Sequence, residues 1–253
     1  MTKLNNIVDY LEQALDHAAF SDASLNGLQV EGSSEVVKAA CAVDAAVTTA
    51  RMAAEIGANF LIVHHGIFWG KAEAVTGSRK ELLEVLLTNG VSLFASHLPL
   101  DAHSEWGNNF SLARMLDLAG LESVLPYEGQ LIGCRGTNEK SLSLDDMIER
   151  LSALPGASSD MLALRFGPAK PERVAICSGS AADGLARFKE DGFDTFITGE
   201  PRQSAYHFAR DHKLNAVFAG HYATETVGVT NVAHALKTKF KIDFEFIDCP
   251  TGI

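Results

Sequence analysis

The first twenty residues carry apolar side chains at helical spacing. Ile7, Leu11 and Leu15 fall on one face of a helix, while Glu12 and Asp16 interrupt any continuous apolar run. A secretory signal peptide needs an uninterrupted apolar segment of about 7 to 15 residues, which this pattern does not provide. We therefore expect an amphipathic helix at the start of the chain.

Two later stretches share one pattern of short apolar runs separated by an amphipathic segment. Residues 36–66 and residues 173–201 each read as strand, helix and strand, and a one-residue gap aligns them. The matching positions include Cys41 with Cys177 and Gly57 with Gly192. The match extends to VSLFASHLPLD, which ends at Asp101, and to NAVFAGHYATE, which ends at Glu225. We interpret this similarity as an internal duplication.

Strands that alternate with helices predict an α/β protein with largely parallel or mixed sheets. We expect a first repeat over residues 1–125, a spacer with one helix over residues 126–170, and a second repeat over residues 171–253. Ser143 is the expected N-cap of the spacer helix, since acidic residues follow it in the first turn. The sequence NGLQVEG at residues 26–32 is interpreted as a glycine-punctuated loop that leads into the first strand.

Polar residues follow directly after several of the predicted strands. They are His64 and His65 after FLIV, His97 after LFAS, Glu200 after FITG and His221 after VFAG. Because the carboxyl ends of parallel strands meet at one edge of a sheet, we expect these side chains to converge on one crevice. Gly66 would let the chain turn, so that both neighbouring histidines point inward.

Histidine nitrogens and carboxylate oxygens are ligands for Zn, Mn, Fe and similar divalent ions, and the sequence does not choose among these metals. A single histidine at a strand end is more often a hydrogen-bonded residue than a metal ligand. That alternative weakens here, because His-His-Gly, His-x-x-x-Asp and His-x-x-x-Glu all follow predicted parallel strands. The combination predicts a metal site.

Composition narrows the range of functions. With 253 residues and 47% hydrophobic content the chain can bury a sizeable core, but its net charge of -11 disfavours nucleic acids, whose binders present a basic surface. No apolar run approaches the roughly 20 residues of a transmembrane helix, so we expect no membrane association. The four cysteines lie far apart without a C-x-x-C pair, and we interpret them as buried apolar residues of a cytoplasmic protein.

Four motifs carry a family resemblance: LIVHHGIFWG, SHLPLDAH with the following GNN, FITGE, and GHYATET. They resemble the Nif-three-like family, whose members are commonly described as homologues of GTP cyclohydrolase I type 2. The resemblance runs from residue 26 to the FIDCP near the C-terminus and covers nearly the whole chain. It implies two intertwined α/β halves, a ring-shaped homohexamer, and two divalent metal ions per chain, with Glu225 as the bridging ligand. The implied metal ligands are His64, His65, Asp101, His221 and Glu225.

Five ligands with one bridge leave open positions on both ions for water or substrate. Two such ions lower the pKa of a bound water towards 7, so the implied reaction is the hydrolysis of a small molecule. The family name suggests a nucleotide such as GTP as the substrate. Two alternatives remain open, namely a metal carrier that uses the same ligands without turnover and an oligomeric interaction scaffold.

Several residues near the implied ligands have open roles. His97 is our candidate for acid–base catalysis or for a role in orienting a metal ligand, because it precedes a ligand in one short loop but is not among the implied ligands itself. Glu200 is either functional or a polar residue of a loop. Phe68, Trp69 and Lys71 follow the histidine pair and either shape a pocket or belong to the core.

Overall fold

The computed structural model describes residues 1–253, apart from the side chain of Phe188. Contacts divide the chain into two compact units. The first unit contains residues 1–100 and 228–249, and the second contains residues 101–227 and 250–253. In sequence, residues 101–227 of the second unit are therefore inserted within the first unit, and residues 250–253 follow it.

Helices and strands alternate along most of the chain. The helices are α1 (Leu4–Leu15), α2 (Val47–Glu55), α3 (Gly77–Thr88), α4 (Leu98–Ala102), α5 (Asn108–Met115), α6 (Leu144–Leu151), α7 (Leu185–Glu190), α8 (Gln203–His212) and α9 (His221–Phe240). The strands are β1 (Thr2–Lys3), β2 (Gly27–Val30), β3 (Glu35–Val36), β4 (Lys38–Asp44), β5 (Phe60–His65), β6 (Ser92–Ala95), β7 (Ala119–Tyr127), β8 (Gln130–Thr137), β9 (Leu162–Arg165), β10 (Arg173–Cys177), β11 (Thr195–Thr198), β12 (Asn215–Phe218) and β13 (Asp243–Phe246). Over the described residues, no helix combines the length and the apolar character needed to cross a membrane.

The predicted N-terminal helix is confirmed as α1. Ile7, Leu11 and Leu15 are buried along one face of it. The helix ends where Asp16 adopts a left-handed backbone conformation with φ of 50°. A left-handed residue at this position is a common way to end a helix.

The sheet of the first unit has the strand order β13-β4-β5-β6-β2. Strands β13, β4, β5 and β6 run parallel, and β2 pairs antiparallel with β6 at the edge. Strand β5 is buried from Phe60 to His64. Since neighbouring residues of a strand point to opposite faces, both faces of β5 are covered. On one of them, Ala50 of α2 and Leu86 of α3 belong to the same apolar cluster as Leu61 of β5.

The sheet of the second unit has the strand order β7-β8-β10-β11-β12-β9. Strands β10, β11 and β12 run parallel, whereas β8 and β9 pair antiparallel on either side of them. Strand β7 extends the sheet as the antiparallel partner of β8. Helices α5 and α6 cover one face, where Leu112 and Met147 share a cluster with Ile176, Ile197 and Val217.

The two sheets share one arrangement. Each contains three successive parallel strands, β4-β5-β6 in the first unit and β10-β11-β12 in the second. In each, the antiparallel strand beside the third of these comes before them in the chain, as β2 beside β6 and as β9 beside β12. The predicted α/β class with mixed sheets is confirmed, and the common strand order is what a duplicated sequence would produce.

The interpretation of residues 26–32 as a loop is wrong over Gly27–Val30, which form β2. This short edge strand pairs with β6 and includes one irregularity in register. Glycines lie at the start of this strand and shortly after its end. Gly27 has a positive φ of 104°, and a Cβ on Gly32 would lie 2.4 Å from a backbone oxygen. The glycines therefore mark a turn and a close backbone approach, which the sequence pattern does not distinguish from a loop.

The predicted spacer helix is confirmed as α6. Ser143 is its N-cap, because the Ser143 hydroxyl accepts a hydrogen bond from the backbone N–H of Asp146. The same segment also supplies β8 and β9 to the second sheet. The predicted limits of the repeats, at residues 125 and 170, concern duplicated sequence and stay a prediction. The compact units divide after residues 100 and 227 instead. Strand β8 of the spacer pairs with both β7 and β10, so the spacer belongs to the same unit as the strands on either side of it.

Adjacent leucines of α3 offer a matched test of this packing. Leu86 is fully buried in the apolar cluster of the first unit, whereas Leu87 is 58% exposed. We expect Leu86→Ala to lower the free energy of unfolding by about 2 to 5 kcal/mol, because it leaves a cavity in the core. Leu87→Ala should change it by less than about 0.5 kcal/mol. Urea denaturation followed by circular dichroism measures both, and equal losses in the two variants would contradict the packing.

Candidate metal centre

Three histidines lie together in the first unit. His64 and His65 are the last two residues of β5, and His97 follows β6. The ring centroid of His64 lies 4.7 Å from that of His65 and 5.1 Å from that of His97. One nitrogen atom from each of the three rings lies within 4.8 Å of the others. The end of the strand therefore brings both members of the histidine pair to the same side.

A hydrogen bond fixes the orientation of each ring in the histidine pair. His64 Nδ1 lies 2.9 Å from the carbonyl oxygen of Ser96, and His65 Nδ1 lies 2.9 Å from Oδ1 of Asp44. A carbonyl or carboxylate oxygen can only accept, so Nδ1 carries the proton in both rings. In metal-binding histidines, a partner of this kind sets the tautomer and makes Nε2 the ligand atom.

Gln29 of β2 holds the turn that follows the histidine pair. Its Oε1 accepts a hydrogen bond from the N–H of Ile67 at 2.7 Å, and its Nε2 donates to the carbonyl oxygen of Leu25 at 2.6 Å. A Cβ on Gly66 would lie 2.3 Å from Gln29 Nε2, so a larger residue there would displace the Gln29 amide from these hydrogen bonds. The interpretation of the segment around Gln29 as a loop misses this role, because it depends on contacts distant in sequence.

Asp22 contacts this histidine cluster, although the sequence pattern does not reveal it. Its carboxylate accepts hydrogen bonds from His97 Nδ1 at 2.9 Å and from the N–H of Leu98 at 3.0 Å, and its side chain is 3% exposed. Burial alone would raise the pKa of Asp22, but hydrogen bonds from His97 and from two near neighbours in the chain lower it to about 2. Asp22 is therefore ionised at neutral pH and holds the proton of His97 on Nδ1.

The other three predicted ligands lie in the second unit. His221 and Glu225 are one turn apart at the start of α9, and His221 Nε2 lies 3.1 Å from Glu225 Oε1. Carboxylate oxygens of Glu225 and of Asp101, which lies in α4, are within 4.8 Å of each other. Asp101 is 7% exposed and Glu225 is 2% exposed. Two buried carboxylates this close repel each other, and a bound cation would relieve the repulsion.

Neighbouring polar side chains fix the position of Asp101. Its Oδ1 accepts hydrogen bonds from Ser178 Oγ at 2.8 Å and from Asn108 Nδ2 at 2.9 Å. The buried Asn109 donates to the carbonyl oxygen of Asp101 at 3.2 Å and accepts from the N–H of Ser178 at 2.7 Å. These two asparagines form the GNN sequence, and their role depends on contacts with Ser178 that the motif alone does not predict.

The chain after β10 approaches these acids closely. Gly179 has a positive φ of 65°, and a Cβ there would lie 2.6 Å from Glu225 Oε1, so glycine is favoured on both counts. Cys177 is the last residue of β10 and is buried. Burial and the negative charges of Asp101 and Glu225 raise the pKa of its thiol well above the usual range. Cys177 therefore stays a neutral thiol, in keeping with the apolar role predicted for it.

Glu200 contacts one of the predicted ligands. Its carboxylate forms a short hydrogen bond with Nδ1 of His221. Burial alone would lower the pKa of His221, but hydrogen bonds to Glu225 and Glu200, together with their negative charges, raise it to about 9. The equivalent residues of the first repeat, His65 and His97, are neighbours as well, with ring centroids 5.7 Å apart. Glu200 thus orients His221, a contact that favours the functional alternative for this residue.

The residues that follow the histidine pair differ in burial. Phe68 is half-buried, with the guanidinium of Arg79 over its ring at 5.0 Å. Trp69 is 37% exposed and donates its Nε1–H to the carbonyl oxygen of Gly66 at 2.9 Å. Lys71 is exposed. The core interpretation therefore fits Phe68 but not Trp69.

A mixed α/β fold with buried histidine and carboxylate donors defines a class of proteins that are candidates for binding divalent metals. Comparison with known proteins assigns the chain within this class. The model of a family described as Duf34/NIF3 (NGG1p interacting factor 3) matches residues 2–251, and the chain belongs to this family. The resemblance predicted from the four sequence motifs is confirmed.

Relatives and solved structures agree with this assignment over nearly the full length. A protein of Deinococcus radiodurans is 38% identical, over 98% of this chain and 94% of its own, and is named GTP cyclohydrolase 1 type 2 homolog. A protein of Escherichia coli K12 with the same name is 37% identical, over 98% of both chains. The crystal structure of a Thermus thermophilus protein is similar with a TM-score of 0.89 and 41% identity, covering 100% of both chains.

Asp22 makes a contribution to stability that depends on pH. Its pKa is about 2 in the folded protein and 3.8 in the absence of the fold, so its ionised form stabilises the protein above about pH 4. That contribution, about 2 kcal/mol, is lost as the pH falls through 2. We expect Asp22→Asn to lower the free energy of unfolding by about this amount at pH 7 and by little at pH 2.

Urea denaturation of wild type and variant at several pH values measures this difference. Asp9→Asn is the matched control, because Asp9 is an exposed residue of α1 in the same unit. The control should behave like wild type at every pH. If Asp22→Asn lost the same stability at pH 7 and at pH 2, the ionised carboxylate would not be the source of the effect.

Proposed function

We propose that this protein is a metal-dependent hydrolase that binds two divalent ions per chain. The residues that would hold them are His64, His65, Asp101, His221 and Glu225. The observation that carries the proposal is the pair of buried carboxylates of Asp101 and Glu225, whose oxygens lie within 4.8 Å of each other. At an effective dielectric constant of about 20, two negative charges at this distance repel by about 3 to 4 kcal/mol. Divalent cations at this position would turn that cost into binding energy.

The donors and their partners suit divalent first-row ions. Imidazole nitrogens and carboxylate oxygens bind Zn, Mn and Fe, and the resemblance does not choose among them. Most of these donors have a partner that orients them, such as Ser96 for His64, Asp44 for His65 and Glu200 for His221. Such partners are typical of histidines that bind metals.

When bound, two divalent ions supply positive charge and an acidified water to a hydrolysis. The reaction also moves protons, because the attacking water loses one and the leaving atom gains one. His97 fits this task. The Asp22 carboxylate holds its proton on Nδ1, so Nε2 is the atom that accepts a proton and later returns it. The His97 side chain is 22% exposed, so part of the ring is accessible from solvent.

The substrate class we propose is a nucleotide. Relatives at 37 and 38% identity carry the name GTP cyclohydrolase 1 type 2 homolog, which supports a purine nucleotide whose ring is opened by water. The homohexamer predicted from the resemblance and the cytoplasmic location predicted from the cysteines remain predictions.

A metal carrier would use the same ligands without turnover. The name carried by the relatives favours the hydrolase, since a cyclohydrolase turns over its substrate, whereas the Asp22–His97 pair suits either function. An interaction scaffold would leave the paired buried carboxylates unexplained. We therefore rank the hydrolase first.

His97→Ala separates the hydrolase from the carrier. In a hydrolase, the variant should keep nearly all of its metal but lose turnover by about 100-fold or more, the usual value of a positioned acid or base. In a carrier, it should change only metal affinity or exchange, by about 10-fold to 100-fold. Plasma emission spectroscopy measures the metal, and chromatography of GTP and other nucleotides after incubation with the metal-loaded protein measures turnover.

The matched control is His207→Ala, which removes an exposed histidine of α8. It should change neither reading. Intact metal with undiminished turnover in His97→Ala would remove His97 from the mechanism. A large loss of metal would instead make His97 a sixth ligand.

A further inference from the structure

Trp69 is held in a fixed orientation beside the histidine cluster of the first unit. Its indole Nε1–H donates to the carbonyl oxygen of Gly66 at 2.9 Å, so the side chain is tied to the turn that follows His65. The ring centroid lies 5.1 Å from that of His97 and 5.9 Å from that of His65. The contact with His97 is edge-on, with an angle of 75° between the two planes. Trp69 is therefore fixed in place although it is not buried.

The exposure of Trp69 is unusual for a side chain of its size. It is 37% exposed, and Leu25 on the adjacent loop is 55% exposed. The two loops are joined by a hydrogen bond from the N–H of Leu25 to the carbonyl oxygen of Phe68 at 2.9 Å. Leaving such apolar area in water forgoes about 25 cal/mol for each Å². An exposed apolar patch at a polar site commonly serves to bind a ligand.

We propose that Trp69 stacks against the heteroaromatic ring of the substrate. This inference rests on the proposed function, and it names the part of the nucleotide that this side chain recognises, namely the base. An indole face stacks on any flat π system, and its contribution does not depend on a specific hydrogen-bond pattern. A base on Trp69 lies next to His97, the residue that handles the proton. Trp69 is thus a specificity-determining residue that favours nucleotides over phosphate esters without a flat ring.

Intrinsic fluorescence tests this directly, because the chain contains two tryptophans, Trp69 and Trp106. In Trp106→Phe, Trp69 is the only source of indole emission. Titration of this variant with guanosine, without added metal, should quench the emission in a saturable manner. Ribose 5-phosphate, which has no base, should not quench it at the same concentrations.

Binding to further variants measures the contribution of the indole. Equilibrium dialysis of guanosine should show about 10-fold to 100-fold weaker binding to Trp69→Ala than to wild type. Trp69→Phe keeps a flat ring and should recover most of the loss. With turnover measured as well, Trp69→Ala should raise KM far more than it lowers kcat, because stacking holds the substrate without taking part in proton transfer.

Each outcome bears on one of the two proposals. Absence of saturable quenching, or equal binding of guanosine to wild type and Trp69→Ala, overturns the stacking proposal even when nucleotide turnover is present. Saturable quenching with no turnover of any nucleotide by the metal-loaded protein overturns the hydrolase and leaves the stacking in place. Emission that shifts with protein concentration and resists guanosine would show that a second copy of the chain covers Trp69, which also overturns the stacking proposal.

Discussion

The polar contacts of the second unit are organised around two buried carboxylates that repel each other. Asp101 and Glu225 bring oxygens within 4.8 Å of each other, each less than a tenth exposed. The surrounding groups act to hold that arrangement. Ser178 and Asn108 donate to Asp101, and His221, with its pKa raised to about 9, lies against Glu225. Two carboxylates and a histidine held together in this way form a donor set that suits a divalent cation.

The first unit brings together imidazole side chains instead of carboxylates. Three imidazoles lie together there, and each has an acceptor at Nδ1: a backbone carbonyl for His64, and a carboxylate for His65 and for His97. Because Nδ1 carries the proton in all three rings, Nε2 is the atom of each ring that can bind a metal or accept a proton. For His64 and His65 we propose metal binding, and for His97 proton transfer. The distinction comes from the resemblance, whose implied ligands include His64 and His65 but not His97.

Much of the fold follows from patterns that are local in sequence. Apolar periodicity predicts α1, and the alternation of strands with helices predicts the α/β class. The duplicated pattern places His64, His97 and His221 after predicted strands. Because the carboxyl ends of parallel strands meet at one edge of a sheet, the sequence predicts that such side chains converge. The spacer helix α6 follows from its N-cap and the acids of its first turn.

The parts that sequence reasoning misses are contacts between distant residues. Asp22 and His97 are 75 positions apart, and Asn109 and Ser178 are 69 apart. Periodicity reports which face of an element a residue occupies, but it carries no information on which polar group lies opposite. Strand β2 is missed for a related reason, because the glycines at its ends mark a turn and a backbone contact that resemble the punctuation of a loop.

Metal content is the measurement that bears most directly on the paired carboxylates. Wild type, Glu225→Ala and the control Glu149→Ala, which changes an exposed residue of α6, would be loaded with Mn²⁺ or Zn²⁺, desalted and measured by plasma emission spectroscopy. Circular dichroism would verify that all three remain folded. The account predicts about two ions per chain in wild type and in the control, and well below one in Glu225→Ala, because the resemblance implies that Glu225 would hold both ions. Full metal content in a folded Glu225→Ala protein would contradict it.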